Sequence, residues 1–76
     1  MKGGAQLEAL TPLQQKTLTT IVRLREKNGI TPTQRELVTL LGVTQNAVRT
    51  RLKLLARKGR IRLLPRLARG IIVLDS

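Results

Sequence analysis

Seventy-six residues make a single small domain, and a chain this short buries only about 60% of the surface that it exposes when unfolded, so its core is thin. With no Phe, Tyr, Trp, Cys or His, the sequence lacks aromatic platforms for stacking single-stranded bases, disulfides, zinc-finger ligands and histidine acid–base chemistry. Fifteen Lys/Arg against four Asp/Glu give a net charge of +11, an excess that attracts polyanions, nucleic acid before an anionic membrane surface.

The first ten residues, MKGGAQLEAL, read as a flexible leader, because Gly3-Gly4 is costly to order; residues 11–76 read as the folded domain. No stretch approaches the ~20 apolar residues of a membrane span, and no signal-peptide core is present, so the expected location is the cytoplasm, in association with the nucleoid. Thr11-Pro12-Leu13-Gln14 is a helix start, with Thr11 as N-cap, Pro12 in the first position and Gln14 closing a capping box. Leu18, Ile21 and Val22 follow at helical spacing with Leu13 and Leu24 beside them, and Asn28-Gly29 supplies a left-handed stop. After the connector Ile30-Thr31-Pro32, Thr33 to Glu36 repeats the capping box, and Leu37, Leu40 and Leu41 are expected to face inward on a short second helix ended by Gly42.

Val43 would plug the turn, and Thr44 caps a third helix over 45–58, so the second and third helices must cross steeply. Val48, Leu52 and Leu55 make its inward ridge, with Gly59 as the stop. Arg60 to Leu63 alternates as a half-buried strand does, 65–70 reads as a loop, and Ile71 to Leu74 as a second strand. The fold class is mainly α with a small β-hairpin: a three-helix winged helix-turn-helix.

If that ridge faces the core, Asn46, Thr50, Lys53 and Arg57 point away from it, with Arg49 at the edge. None is apolar or acidic, and these types suit a major groove: Asn for adenine edges, Arg for guanine, Thr for hydroxyl contacts or the thymine methyl, Lys for phosphate. The N-terminal part of such a helix reaches base edges, which assigns Gln45, Asn46, Arg49 and Thr50 to base reading and Lys53 and Arg57 mainly to phosphates. Ala47 is small enough for close approach, and Thr44 caps the helix, either as its whole role or with a phosphate contact beside it. From Arg49 to Arg69 no acid interrupts nine basic residues, whereas an ordinary solvated surface mixes both signs. Arg66 and Arg69 on the hairpin loop would lie along the backbone or enter the minor groove, and they also guard the aliphatic strand that follows; Arg60 and Arg62 are further phosphate candidates.

Enzymatic chemistry finds no residues to carry it. The lone serine is Ser76, the carboxylates are scattered, and no metal or cofactor site is expected.

These residues carry a family likeness. LTPLQQ, NGITPTQREL, LLGVTQNAV, LKLLARKGRI and ARGIIVL, together spanning Leu10–Leu74, resemble the N-terminal DNA-binding domain of LexA-type SOS-response repressors. GVTxxxVxxxLxxLxxKG is common to winged helices in general; TPT, NA, LKxLARKG and RGI together are more specific. The resemblance implies a third helix that enters the major groove of an inverted-repeat operator to block transcription, with base contacts at Thr44, Asn46, Ala47, Arg49 and Thr50. Arg49 and Thr50 stand where such repressors commonly carry acids, which implies an operator other than the usual SOS box. The turn before the third helix is one residue shorter, and the wing LPRLARG is bulkier and more basic than the family's tip. The family's dimerising, self-cleaving serine–lysine domain has no counterpart in these 76 residues, so no autoproteolysis is expected.

The expected partner is therefore double-stranded DNA, bound by a homodimer on an inverted repeat or by this chain paired with another; Leu7–Leu10 and the wing residues Leu64 and Leu67 are candidate contacts between copies. An alternative is a phage or mobile-element winged helix that binds a host regulator or RNA polymerase. Charge-driven, non-specific nucleic-acid binding is a third reading.

Overall fold

The computed structural model describes residues 9–67 and 69–74. Three helices come first, α1 (Pro12–Asn28), α2 (Gln34–Leu41) and α3 (Gln45–Arg57), followed by β1 (Ile61–Leu63) and β2 (Ile71–Val73). The strands pair antiparallel in the register Ile61↔Val73, Arg62↔Ile72, Leu63↔Ile71, forming the wing. The fold expected from the sequence, three helices and a hairpin, is the one observed.

Local chemistry fixes the helix ends. Both capping boxes close: the Gln14 N–H donates to Thr11 Oγ1 at 3.2 Å and Thr11 N–H to Gln14 Oε1 at 3.0 Å, while Thr33 and Glu36 exchange the same pair at 3.0 and 2.9 Å. At Gly42 (φ 67°) the chain turns left-handed, a conformation that costs a residue with a Cβ, and only Val43 and Thr44 remain before α3 begins.

The core is a single cluster: Ile21 from α1, Leu37 from α2, Val48, Leu52 and Leu55 from α3, and Ile61 and Ile71 from the strands. Helix α3 thus supplies three of the seven buried aliphatics, one from each inward turn, and α1, α2 and β1 all pack against it. A polar node joins the start of α1 to the end of α3. Gln14 is buried, and its Oε1 accepts from Lys58 Nζ at 2.8 Å as well as capping Thr11; Lys58 Nζ also donates to the Ala9 carbonyl at 3.0 Å.

Several details differ from expectation. Leu40, placed inward by its spacing, is 56% exposed, because Leu37, Val38 and Leu41 take the narrow face that an eight-residue helix can bury. It lies about 60° around the helix from Leu37. There it borders an open groove with Leu24, Ile30 and Pro32. Leu13, beside the first helix's stripe, is 57% exposed, and Thr17 takes the buried position, its hydroxyl satisfied by the Leu13 carbonyl at 2.9 Å. Leu10, counted with the leader, packs against the core. The rest of the leader, residues 1–8, lies outside the described residues, as do Ala68 of the wing, Asp75 and Ser76. Each strand is one residue shorter than read from the sequence, with Arg60 and Leu74 at the margins.

Candidate nucleic-acid interface

Helix α3 separates its residues cleanly by burial. Val48, Leu52 and Leu55 are inaccessible, and Ala47, Arg51, Leu54 and Ala56 are half-buried on the flanks. Gln45, Asn46, Arg49, Thr50, Lys53 and Arg57 are exposed. Counting from Val48 at about 100° per residue, Asn46, Thr50, Lys53 and Arg57 lie between about 140° and 200° around the helix, and Arg49 at about 100°. The structure therefore brings Asn46, Thr50, Lys53 and Arg57 together on one face with Arg49 at its edge, while Gln45, exposed, lies to the side at about 60° and Ala47 is half-buried on the opposite flank. No acid interrupts that face, and none occupies the first turn of α3.

Thr44 holds the start of this helix. Its Oγ1 accepts the Ala47 N–H at 3.1 Å, satisfying one of the free amides of the first turn, and its exposed hydroxyl keeps a proton to donate. The cap and the glycine turn before it fix the direction in which Gln45 and Asn46 leave the surface.

The wing is built differently. The Leu64 N–H donates to the Gly70 carbonyl at 2.7 Å and closes the loop. Gly70 is buried, and a Cβ there would fall on the Leu64 carbonyl oxygen, with the Leu67 oxygen 3.1 Å away. At the tip, Pro65 is followed by Arg66 with φ 72°, a left-handed backbone that glycine usually adopts. Arg66 is exposed, as is Arg62 on the outward side of β1. Arg60 is half-buried, and its Nε is out of solvent with no hydrogen-bond partner, so a phosphate contact there would need the terminal nitrogens.

Arg69 is placed otherwise. Its guanidinium turns back onto the start of α2, where Nη1 donates to Glu36 Oε1 at 3.0 Å and to the Thr31 carbonyl at 2.9 Å, and Nη2 donates to Glu36 Oε2 at 3.1 Å. The Thr31 hydroxyl donates in turn to the Ile71 carbonyl at 2.8 Å. Arg69, together with the Thr33 amide, holds the Glu36 carboxyl below its ordinary value. Sequence reading counted Arg69 only as a free wing cation. Its partner is 33 residues away, and no local signal joins the two.

Among the described residues no group of acids could hold a metal ion, and no helix is long and apolar enough to cross a membrane.

A three-helix bundle with a hairpin wing, whose third helix follows a tight glycine turn and shows an acid-free polar face, defines a winged helix-turn-helix domain. The chain belongs to the LexA DNA binding domain family, whose sequence model matches residues 7–70. It is 39% identical over 71 residues to the LexA repressor of Haemophilus influenzae, covering 92% of this chain and 34% of that protein. It is 46% identical over 63 residues to LexA repressor 1 of Pseudomonas putida, covering 82% of this chain and 31% of that one, and 41% identical over 71 residues to the LexA repressor of Tolumonas auensis. The chain thus spans about a third of the length of these relatives.

Proposed function

We propose that this chain binds double-stranded DNA sequence-specifically and acts in transcriptional repression, with α3 in the major groove. The observation that carries the reading is the continuous, exposed, acid-free stripe Asn46, Arg49, Thr50, Lys53 and Arg57 on the one helix whose opposite face anchors the core. A face free of carboxylates meets phosphates without repulsion, and a helix held from behind by three buried aliphatics presents its outer residues at a fixed angle. Thr44, Gln45, Asn46, Ala47, Arg49 and Thr50, nearest the helix start, read bases; Lys53, Arg57 and, from the wing, Arg62 and the terminal nitrogens of Arg60 meet phosphates.

Arg66 reaches toward the backbone or minor groove from the wing tip. Its left-handed φ supports this role: a glycine would fit that backbone without strain, so the position keeps a cation at a conformational cost. Arg69 already spends its guanidinium on Glu36 and Thr31, which leaves the loop's contact with DNA to Arg66.

One module of this size covers a single half-site, so the working form is a homodimer on an inverted repeat or a pairing with a second chain, acting at the nucleoid in the cytoplasm. The groove edged by Leu24, Ile30, Pro32 and Leu40 favours the other reading, capture of a host regulator or RNA polymerase. Selection of bound duplexes from a random pool, followed by a salt titration, separates the readings. DNA reading predicts a shared half-site and an affinity that falls steeply with salt as counterions are released. A selected pool no tighter than random sequence would sink base-specific recognition, and protein capture without any duplex shift would transfer the case to the partner reading.

A further inference from the structure

We infer that Arg69 is a positioning residue of the wing, clasping it to the start of α2 through Glu36 and Thr31 so that Arg66 is held toward DNA. The inference rests on the DNA-binding reading for its consequence and on the free protein's geometry for its cause.

The wing loop has few other anchors. The wing's strands are three residues each, and among the described residues of the segment between them only Gly70 is buried, while Leu64, Pro65, Arg66 and Leu67 stand exposed. A two-stranded ribbon this short does not hold its own orientation in water. Ile61 and Ile71 seat its strands in the core, and a polar lattice at its base holds the loop. The Arg69 fork takes both oxygens of Glu36 at 3.0 and 3.1 Å, the arrangement in which a guanidinium and a carboxylate leave each other least freedom. The same Nη1 holds the Thr31 carbonyl, and the Thr31 hydroxyl holds the Ile71 carbonyl at 2.8 Å, so the α1–α2 connector is tied to both the wing loop and β2. Glu36 cannot swing freely to follow the wing, because its Oε1 also caps the Thr33 amide at 2.9 Å. The clasp therefore joins the wing to the helix that the glycine turn leads into α3. In this way the angle between wing and reading helix is set through a pair of side chains, neither of which lies on α3.

A pair this exposed adds little to overall stability, and a free arginine on a DNA-binding loop would be expected to meet phosphate instead. The two roles predict opposite signs at Glu36. If Arg69 were a phosphate contact, Glu36→Gln would release it and remove a repelling carboxylate, so duplex binding would hold or tighten. If Arg69 positions the wing, Glu36→Gln weakens binding, although glutamine preserves the capping box and hence α2.

The test measures duplex affinity and its salt dependence for Glu36→Gln, Arg69→Lys, Arg69→Ala and the Glu36→Gln/Arg69→Ala pair, with amide hydrogen exchange on each free protein. The clasp predicts a loss on the order of three- to tenfold for every single variant, with the double variant no weaker than Arg69→Ala. It predicts an unchanged salt slope and faster exchange over 64–70, with α3 unaffected. Arg69→Lys is decisive for geometry, since it keeps the charge and loses the fork. A salt slope shallower by about 0.9 in Arg69→Ala, with Glu36→Gln binding as tightly as the parent, overturns the inference. Failure of the parent protein to bind any duplex would count against the proposed function instead, and the exchange measurements would still decide the clasp.

Discussion

Helix α3 is fixed from one side by Val48, Leu52 and Leu55, all fully buried, whereas the wing's strands share that core through Ile61 and Ile71 and its loop is fixed by a two-residue polar clasp, one closing backbone bond and the tight seat of Gly70. The outer face of α3 takes no part in holding the helix, so the identities of Asn46, Arg49, Thr50 and Lys53 can change without disturbing the fold. The wing separates its duties less completely, because the loop that carries Arg66 also carries Arg69. Burial is indifferent to salt and pH over ordinary ranges, but an exposed ion pair is not. The reading helix thus behaves as a rigid element, and the wing loop as one whose aim responds to solution conditions.

The largest expected effect breaks the rigid side. Leu52→Ala removes a fully buried side chain from the middle of the ridge and should cost about 2–5 kcal/mol. In a domain this small that is most of the stability, so the urea midpoint should collapse and duplex binding vanish with it. Gly70→Ala attacks the wing instead. The added methyl meets the Leu64 carbonyl oxygen, a rigid backbone atom, and should cost about 1–3 kcal/mol, the range for overpacking. Circular dichroism of that variant should still report the three helices, with only amides 61–73 losing exchange protection. Equal loss of protection in α3 would show that wing and helix unfold as one unit and end the contrast between them.

Smaller effects sharpen the comparison within α3. Arg49→Ala should cost about 1–3 kcal/mol on a selected duplex and relax preference at one base position. Lys53→Ala, one turn further along the same face, should weaken all sequences alike and reduce the salt slope by about one. Binding of the two variants to selected and random duplexes across a salt series checks both. If preference survived Arg49→Ala intact, base reading would have to move to other residues of the stripe.

Elements whose determinants are neighbours in the chain were legible in the sequence. Thr11 and Thr33 with their third-position partners, and Gly29, Gly42 and Gly59 with left-handed φ, marked helix ends because a cap or stop is decided within four residues. The outward direction of the α3 stripe followed from period alone, since thirteen residues give a ridge long enough to define it. Leu40 was misplaced for the complementary reason: eight residues carry three leucines and a valine, and only packing decides which are left over. Gln14 with Lys58, and Arg69 with Glu36, were illegible because their partners lie 44 and 33 residues away. In a chain with fifteen basic residues and four acids, charge alone does not say which arginine is taken.

The smallest expected effect is a pH dependence confined to the wing. Glu36 faces the Arg69 guanidinium and the Thr33 amide, with Arg35 on its own helix and the uncharged Asn28 at the end of α1 bordering the same groove. Its carboxyl titrates below the ordinary glutamate value, chiefly because Arg69 hydrogen-bonds to the charged form. For a depressed folded value, the folded state is favoured by the carboxylate at every pH above the unfolded value. That contribution fades as pH falls through the unfolded value and is gone below the folded one. Neutral solution therefore keeps the clasp closed. Acid opens it, and amides 64–70 should then exchange faster relative to those of α3, without a matching change in Glu36→Gln, which has no carboxyl to protonate at that position. A wing that responded to acid equally in both proteins would place the sensitivity elsewhere and leave the clasp as a contact without control over the loop.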